Sequence, residues 1–198
     1  MISNSFSGSS FVNYLLDKKF KVIGISRSHQ KKILNPYKYN NNLRNFKFFK
    51  ININHNPNKI LKIVKKFKPK YIINFAAQGM VNESWKYPDQ WYQTNIVSMT
   101  KLISNLLKFN FIKLFLNFST PEVYGDMKEI TKEHDNFNPT TPYAISRAAF
   151  DLHLKNLFKI YKFPVIITRT SNVFGPYQDL YRIIPKTILS ILKNVKLD

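Results

Sequence analysis

Tyr143 and Arg147 are the residues whose types and spacing first suggest a reaction centre. They stand four positions apart in a segment that opens with Pro142, a residue favoured in the first turn of a helix, so both side chains lie on one helix face. A tyrosine hydroxyl has an ordinary pKa of about 10, too high for a base at neutral pH, but a nearby cation favours the phenolate. A tyrosine and a cation in this arrangement are suited to proton transfer; the alternative is a half-buried aromatic residue at a helix start.

Apolar periodicity places this pair within an alternation of helices and strands. The predicted helices cover residues 9–18, 59–67, 89–108, 142–161 and 183–193. The predicted strands cover residues 20–26, 46–53, 71–76, 113–119 and 165–170, and the asparagine-rich segment 37–45 is predicted to be a loop. Strands that alternate with helices indicate an α/β fold with a parallel sheet.

The composition narrows the possible partners. No apolar run approaches the ~18 residues that span a membrane, so we expect no membrane association, and the absence of cysteine and of a signal-peptide pattern favours a cytoplasmic location. The net charge of +20 suggests a polyanion, but the lysines are scattered over every segment and arginine is scarce, so we expect no nucleic-acid partner. No metal site is predicted, because metal-ligand spacing is lacking among His29, His55, His134 and His153.

Five short motifs follow predicted strands or lie in predicted helices: NFAA at 74–77, TN at 94–95, STPEVYG at 119–125, PYAISR at 142–147 and TRTSNVFGPYQ at 168–178. In order and spacing they resemble the extended short-chain dehydrogenase/reductases, the NAD-dependent epimerase/dehydratase family that modifies nucleotide sugars. The STPEVYG motif is similar to the STDEVYG of the nucleotide-sugar 4,6-dehydratases. The resemblance implies a Rossmann-like, doubly wound parallel sheet.

The same resemblance implies four catalytic residues. Tyr143 takes a proton from the sugar C4 hydroxyl while hydride passes to a nicotinamide, and Thr120 hydrogen-bonds the same oxygen. Arg147 replaces the family's lysine; it keeps the charge and can bond the cofactor ribose, but the exchange is not conservative. Glu122 corresponds to the base that removes the C5 proton, which favours a dehydratase or a related decarboxylase over a plain 4-epimerase. The alternative for Glu122 is a surface or capping residue.

Pro121 departs from the family pattern. At this position the dTDP-glucose dehydratases that the motif resembles have an acid, and the GDP-mannose dehydratases have a serine. Proline offers neither a proton nor a hydroxyl. Either Glu122 both removes and returns the proton, or the reaction differs. Three functions stay open: a nucleotide-sugar 4,6-dehydratase that forms a 4-keto-6-deoxy sugar nucleotide, an NAD(P)-dependent nucleotide-sugar epimerase or decarboxylase, and a truncated, non-catalytic nucleotide-binding relative.

The family's glycine pattern, G-x-x-G-x-x-G, falls on Ile2, Ser5 and Gly8, so one glycine of the three is kept. Glycines at a helix N-terminus let the pyrophosphate approach the backbone, so Ser5 and Gly8 are predicted cofactor contacts, with a plain helix N-cap as the alternative. Arg27 follows the strand 20–26 with no acid beside it, which favours NADP slightly over NAD. The remaining predicted cofactor contacts are Asn52, Ala76, Ala77, Tyr143 and Arg147.

The sugar nucleotide is predicted to contact Thr120, Asn172 and Arg182. Asn172 lies in the segment that resembles the substrate-phosphate loop, and Arg182 in a basic stretch suited to a diphosphate; a solvated surface charge is the alternative for Arg182. Family members pair through two long helices, so residues 89–108 and 142–161 imply a homodimer.

The family's sheet begins with a central strand that feeds the glycine-rich turn. The first predicted helix leaves no room for this strand, and the chain stops just after its last helix. We therefore expect a chain truncated at both ends, without that strand and most of the C-terminal substrate lobe. The predicted division is a Rossmann-like cofactor-binding domain over residues 1–178 and the start of a substrate-binding region over residues 179–198.

Overall fold

The structure, a computed structural model, describes residues 3–30, 35–126, 130–133 and 136–197. Ile2 of the glycine pattern and His134 lie outside the described residues. By its internal contacts the chain divides into two units: one runs from Ile51 to Ser171, and the other comprises the described residues on either side of it. The predicted domain boundary at residue 178 stays a prediction. Within the described residues, none of the helices combines the length and apolar character needed to cross a membrane.

Helices and strands alternate along the chain, as the apolar periodicity predicts. The strands are β1 (Val22–Ser26), β2 (Phe46–Lys50), β3 (Tyr71–Asn74), β4 (Leu114–Ser119) and β5 (Val165–Arg169). The helices are α1 (Phe6–Asp17), α2 (Pro57–Phe67), α3 (Val81–Lys86), α4 (Pro88–Tyr92), α5 (Met99–Leu106), α6 (Pro142–Tyr161) and α7 (Ile183–Lys193). The predicted bounds of α6 and α7 are confirmed.

All strand pairs are parallel. β1 pairs with β2, and β3, β4 and β5 form a second sheet in that order. These pairings agree with those between strands 3 and 2, and among strands 4, 5 and 6, of a doubly wound sheet, so the predicted fold class is confirmed. In the three-stranded sheet, Asn74 lies opposite Asn117 and Ser119 opposite Arg169, which places four polar residues at the carboxyl ends of the strands.

Side-chain caps fix the starts of the two helices that matter for the site. The Gly8 backbone N–H donates to the Ser5 hydroxyl at 3.1 Å, so α1 begins at Phe6, three residues before its predicted start. The Ala144 N–H donates to the Thr141 hydroxyl at 3.1 Å, and Pro142 occupies the first turn of α6. Such caps satisfy backbone donors that the helix itself leaves without a partner.

The core of the Ile51–Ser171 unit lies where α5 and α6 flank the sheet. Buried members that are each 2% exposed or less include Met99, Leu102, Ile103 and Leu106 of α5, Phe115 of β4, and Phe150 and Leu154 of α6. Each such side chain contributes about 1.5–3 kcal/mol by leaving water. This apolar layer fixes α6 against β4 and thereby sets the place of the polar residues that both elements carry.

The predicted loop over residues 37–45 is wrong, because it contains two 3-10 turns, Pro36–Tyr39 and Leu43–Asn45. Tyr37 is fully buried against α1. The Asn40 amide donates to the Asp17 carboxylate at 2.7 Å, and the Asn42 amide donates to the Leu16 carbonyl oxygen at 3.0 Å. The asparagines thus bond the last turn of α1, and their polarity does not mark a segment that lies free in water.

The single helix predicted for residues 89–108 is interrupted. Between α4 and α5 the backbone forms a π-helix over Gln93–Ser98. A separate short helix, α3, precedes α4. Apolar periodicity does not predict a π-helix, because the wider turn changes the hydrogen-bond pattern without adding a turn signal.

Candidate active site

The backbone of Tyr143, in the first turn of α6, is held on both sides by serine hydroxyls. Its N–H donates to the Ser84 Oγ at 3.2 Å, and its carbonyl oxygen accepts from the Ser146 Oγ at 2.7 Å. The Asn95 amide in turn donates to the Ser146 Oγ at 2.9 Å. Neighbouring elements therefore fix the start of α6 and, with it, the base of the Tyr143 side chain.

Asn95 connects this turn to the loop that follows β3. Its Oδ1 accepts from the Gln78 backbone N–H at 2.7 Å, and its Nδ2 donates to the Gln78 carbonyl oxygen at 3.1 Å. The same loop holds Met80 at φ 71°, a left-handed conformation that a residue other than glycine rarely adopts. Such strain persists only where the surrounding structure imposes it, and the buried Asn95 fixes the backbone of Gln78 two residues earlier in this loop.

Thr120 and Glu122 follow β4, where the chain forms a 3-10 turn over Pro121–Tyr124. The Glu122 N–H donates to the Thr120 Oγ1 at 3.3 Å, which leaves the Thr120 hydroxyl hydrogen free to bond another acceptor. Pro121 occupies the first position of the turn, where a missing N–H costs nothing. Glu122 is exposed, and partial desolvation of its carboxyl raises its pKa above the usual value.

Arg147 lies on α6 one turn after Tyr143 and is 4% exposed. Its Nη2 donates to the carbonyl oxygen of Phe118, near the end of β4. Its Nε finds no hydrogen-bond partner among the described residues. The guanidinium is therefore held beneath the strand end with part of its donor capacity unused.

Asp151, one turn further along α6, is the centre of a buried polar network. Its Oδ2 accepts from the Ser119 hydroxyl at 2.6 Å and from the Arg169 Nη1 at 2.8 Å, and its Oδ1 accepts from the Asn117 amide at 3.1 Å. The network continues to β3, because the Asn74 amide donates to the Asn117 Oδ1 at 2.8 Å. Hydrogen bonds thus join the carboxyl ends of all three strands to α6.

The predicted catalytic residues Thr120, Glu122, Tyr143 and Arg147 all lie in the Ile51–Ser171 unit. The 3-10 turn packs on α6, with Val123 and Tyr124 in one buried cluster with Ala148. The unit therefore brings together the two elements that carry the predicted chemistry. The roles of the four residues stay predictions.

Besides Tyr143 and Arg147, three predicted cofactor contacts belong to the same unit. The Ala76 N–H donates to the Asn74 Oδ1 at 3.0 Å, which fixes the turn after β3, and Ala77 is half-buried beside it. Asn52 accepts from the Asn54 N–H through its Oδ1 at 2.9 Å and keeps its amide NH2 for another acceptor. Small side chains after one strand and an amide after another suit a flat, hydrogen-bonding ligand, so these residues fit a dinucleotide.

Ser5, Gly8, Arg27, Asn172 and Arg182 lie in the other unit. Ser5 acts as the N-cap of α1, with the buried Gly8 in the first turn, and Arg27 is exposed directly after β1. Asn172 is exposed, and the Arg182 guanidinium lies 5.1 Å from the centre of the Tyr181 ring. A helix N-terminus and a cation after β1 suit a pyrophosphate and an adenosine ribose, and these five assignments stay predictions.

Sequence reasoning missed Asp151, Ser84 and Asn117. A signal existed for Asp151: a carboxylate four positions after Arg147 lies on the same helix face, among apolar residues. Ser84 has no such signal, because the helix that carries it, α3, was not predicted.

Comparison with known proteins agrees with the predicted resemblance. The family profile described as GDP-mannose 4,6 dehydratase matches residues 4–198. A dTDP-D-glucose 4,6-dehydratase of Dictyostelium discoideum is 32% identical over 96% of this chain and 47% of its own length. A probable dTDP-glucose 4,6-dehydratase of Sinorhizobium fredii is 30% identical over 94% of this chain and 56% of its own length. The chain thus spans about half the length of these relatives.

Two solved structures share both the fold and appreciable sequence identity. A dTDP-glucose 4,6-dehydratase of Bacillus anthracis in complex with NAD has a TM-score of 0.84 and 28% identity, over 99% of this chain and 61% of that one. A UDP-N-acetylglucosamine 4-epimerase of Methanobrevibacter ruminantium, in complex with UDP-N-acetylmuramic acid, has a TM-score of 0.84 and 31% identity, over 98% and 62%. With a profile match over nearly its whole length, the chain belongs to the GDP-mannose 4,6 dehydratase family of extended short-chain dehydrogenase/reductases.

Proposed function

We propose that this chain carries the reaction site of a nucleotide-sugar 4,6-dehydratase. The observation that carries the proposal is the placement of a carboxylate, Glu122, in the turn after β4 that packs on α6, the helix whose first turn holds Tyr143. A plain exchange of C4 configuration needs no carboxylate there, whereas loss of water across C5 and C6 does.

Tyr143 and Thr120 act on the C4 hydroxyl of the sugar. Tyr143 accepts its proton, and the free hydroxyl hydrogen of Thr120 bonds the same oxygen. A bound nicotinamide would supply the hydride chemistry: the hydride taken from C4 would be returned to C6 after water has left, and C5 would regain a proton, which gives the 4-keto-6-deoxy product. The serine and asparagine contacts around the first turn of α6 hold Tyr143 in place for this proton transfer.

Glu122 carries out the elimination. Its carboxylate takes the proton from C5, which the neighbouring C4 ketone makes acidic, and the electrons of the broken C–H bond form the C5–C6 double bond. The C6–O bond breaks with its electron pair, and the protonated Glu122 gives its proton to the leaving hydroxyl, which departs as water. Partial desolvation raises the pKa of the Glu122 carboxyl, which makes its carboxylate a stronger base. Because Pro121 offers no proton, Glu122 also serves as the acid in this proposal.

Within the Ile51–Ser171 unit, Asn52, Ala76 and Ala77 would contact the dinucleotide, with Tyr143 and Arg147 at its nicotinamide end. The other unit, taken by itself, carries three further proposed cofactor contacts, Ser5, Gly8 and Arg27. The Bacillus anthracis relative was solved with NAD, which supports a nicotinamide cofactor. Arg27 favours the 2′-phosphate of NADP, because a guanidinium pairs well with phosphate. Asn172 and Arg182 would contact the diphosphate of the sugar nucleotide.

Thermal unfolding with added NAD, NADP or AMP tests the cofactor. A ligand that binds the folded chain at one hundred times its Kd stabilises it by about 2.7 kcal/mol and raises the midpoint. We expect NAD and NADP to raise it and Arg27→Ala to reduce the NADP effect more than the NAD effect. If neither dinucleotide shifts a folded sample, the cofactor proposal is wrong.

Product analysis tests the reaction. Full chain with added dinucleotide is incubated with dTDP-glucose, GDP-mannose or UDP-glucose, and the sugar nucleotide is examined by mass spectrometry and NMR. Dehydration removes the mass of one water and creates a C4 ketone. Glu122→Gln should abolish water loss while dinucleotide binding persists. Water loss that survives this substitution would exclude Glu122 as the base.

A nucleotide-sugar 4-epimerase is the second candidate, favoured by the 31% identity to the Methanobrevibacter ruminantium enzyme. The two reactions differ in product mass, because an epimerase changes the configuration at C4 and keeps every atom. An unchanged mass with a new C4 configuration would support the epimerase. Dinucleotide binding without turnover of any probe would support a non-catalytic binder.

We also propose a homodimer that pairs through α6 and the helical segment from α4 to α5. Apolar side chains on α6, including Ile145, Leu152 and Phe158, are exposed in the isolated chain and suit such a contact. Sedimentation equilibrium gives the oligomeric state. The division into a cofactor-binding part over residues 1–178 and a substrate-binding part after it remains part of this proposal.

A further inference from the structure

The turn segment, residues 119–124, comprises the end of β4 and the 3-10 turn that follows it, and it is bonded at both of its ends. At its start, the Ser119 Oγ donates to the Asp151 Oδ2 at 2.6 Å. At its end, the Tyr124 hydroxyl accepts from the Arg169 Nε at 3.1 Å. The Arg169 Nη1 donates to the same Asp151 Oδ2 at 2.8 Å, and the two side chains are 16% and 0% exposed. One carboxylate on α6 therefore anchors both ends of the turn segment, one end directly and the other through an arginine.

The Arg169 guanidinium suits this linkage, because its donors point in fixed and different directions. Its centre lies 5.3 Å from the Tyr124 ring centre and 5.1 Å from that of Phe137, within reach of cation–π attraction. The two rings meet edge to face, with their centres 5.5 Å apart. The Tyr124 hydroxyl donates onward to the Glu133 carbonyl oxygen at 3.1 Å. These contacts fix the guanidinium where one nitrogen reaches Tyr124 and another reaches Asp151.

Apolar contacts alone leave the place of the turn segment loosely defined. Val123 and Tyr124 pack in a buried cluster with α6, but apolar attraction has no preferred direction. The Glu122 N–H donates to the Thr120 Oγ1 at 3.3 Å, a bond inside the segment that ties it to no other element. The Asn138 N–H donates to the Val123 carbonyl oxygen at 3.0 Å, which joins the segment to the chain before α6. The bonds at the two ends join it to α6 and β5, and bonds to charged groups are strong and directional.

A buried ion pair is a weak source of net stability, because both charges leave water and an apolar pair of similar volume often serves a core as well. We propose that Asp151 and Arg169 are positioning residues for Glu122: the bonds at both ends of the turn segment set the place of the carboxylate that takes the C5 proton. The inference rests on the proposed function, in which Glu122 is the base. A misplacement of about 1 Å can cost about 100-fold in rate, so loss of one link slows the elimination while substrate still binds.

Hydrogen exchange tests these links without substrate or cofactor. Tyr124→Phe removes the hydroxyl that accepts from the guanidinium and keeps the ring in its apolar cluster, so the full chain should fold. The Gly125 N–H, which donates to the Glu122 carbonyl oxygen at 3.1 Å, should exchange about tenfold faster in the 15N NMR spectrum. The Phe115 N–H, bonded within the sheet, should keep its wild-type rate. If the hydroxyl only stabilised the fold as a whole, both rates would rise by the same factor.

Steady-state kinetics give the second readout, with added dinucleotide and whichever of dTDP-glucose, GDP-mannose and UDP-glucose loses water. Tyr124→Phe should lower kcat about 10- to 100-fold and leave KM within about twofold of wild type. The matched control is Tyr71→Phe, which removes the hydroxyl of an exposed tyrosine at the start of β3 and should change neither constant.

Two further variants probe the two ends of the turn segment. Arg169→Lys keeps a charge for Asp151, but its single nitrogen replaces the two that reach Asp151 and Tyr124, so kcat should fall as in Tyr124→Phe. Adding Tyr124→Phe to Arg169→Lys should have little further effect, because both break the same chain of bonds. Ser119→Ala breaks the bond at the other end, keeps the ion pair and should also lower kcat without raising KM.

Two outcomes would overturn the proposal. One is an equal acceleration of exchange at Gly125 and Phe115 in Tyr124→Phe; the other is wild-type exchange at Gly125 in both Tyr124→Phe and Ser119→Ala. The proposed function can fail separately. If wild type removes water from none of the three sugar nucleotides while Gly125 exchange responds as expected, the dehydratase is wrong and the two residues still position the turn segment.

Discussion

The helices α6 and α7, one from each unit, make an instructive comparison. α7 has the more apolar sequence, yet none of its residues is buried, whereas nine residues of α6 are buried, among them Arg147 and Asp151. The Thr141 side chain caps the start of α6, and Lys162 ends the helix in the left-handed conformation. What buries α6 is the sheet beside it, whose strand ends supply polar partners as well as apolar surface. Burial is thus a property of matched surfaces, and the apolarity of a helix does not decide it.

The largest expected difference between the two units lies in their apolar side chains. Phe115→Ala leaves a cavity in the layer between β4 and α6 and should lower the free energy of unfolding by about 3–5 kcal/mol. Ile191→Ala, on the exposed α7, should change it by about 0.5 kcal/mol or less. Urea unfolding measures both. A large loss for Ile191→Ala would mean that α7 is covered in solution, and the comparison would fail.

Removal of the buried carboxylate comes next. Asp151→Ala leaves Ser119, Asn117 and Arg169 without their acceptor and should cost about 3 kcal/mol. Asp126→Ala removes an exposed carboxylate from the same unit and should cost little. Urea unfolding of the two variants compares them. If both variants lose equally little free energy of unfolding, the network does not contribute to stability.

The helix caps should behave alike in the two units, because capping is local. Thr141→Ala and Ser5→Ala each remove the acceptor of one N–H in a first helical turn and should each cost about 1 kcal/mol. Their thermal midpoints test this. The comparison sharpens in the NMR spectrum of a chain labelled with 13C on its tyrosine rings, in which Tyr143→Phe identifies the Tyr143 resonance. Thr141→Ala should move that resonance and Ser5→Ala should not. If the Tyr143 resonance does not move in Thr141→Ala, the helix cap does not influence the surroundings of the Tyr143 ring.

The smallest effect concerns pH. Desolvation lowers the pKa of His153 below 6.5, and its Nε2 has no hydrogen-bond partner among the described residues. The folded chain therefore favours the neutral ring, so this contribution to stability is present above pH 6.5 and is lost as the pH falls through the folded pKa. His153→Phe should flatten the acid side of the stability curve, whereas His55→Gln, at an exposed site, should not. Parallel acid sides for wild type and His153→Phe would contradict the assignment.

Much of the fold was predictable from periodicity and helix signals. The bounds of α6 and α7 matched, because Pro142 marks one start and the apolar repeats of both helices are uninterrupted. The 3-10 turns around Tyr37 were not predictable from polarity, because the asparagines there bond the end of α1. The π-helix over Gln93–Ser98 was not predictable either, since the apolar pattern carries no signal for the change in hydrogen bonding.

For the candidate site, sequence motifs predict which residues touch a ligand but do not predict which residues hold them in place. Thr120, Glu122 and Tyr143 stand in recognisable strings of residues, so type and spacing single them out. Ser84 and Asn117 act through hydrogen bonds that span 59 and 34 positions of sequence. Such contacts follow from the packed sheet and helices, and no local pattern encodes them.

The π-helix has a consequence for how the chain can vary. A π-helical turn takes up one residue more than an α-helical turn, so Asn95 faces the loop after β3 while Met99, Leu102, Ile103 and Leu106 still face the core. Each α-helical residue turns the chain by about 100°. Deletion of one residue from Gln93–Ser98 would therefore rotate the apolar face of α5 relative to Asn95 by about that angle. The segment is a spacer between a polar anchor and an apolar face, tolerant of changed side chains and intolerant of changed length.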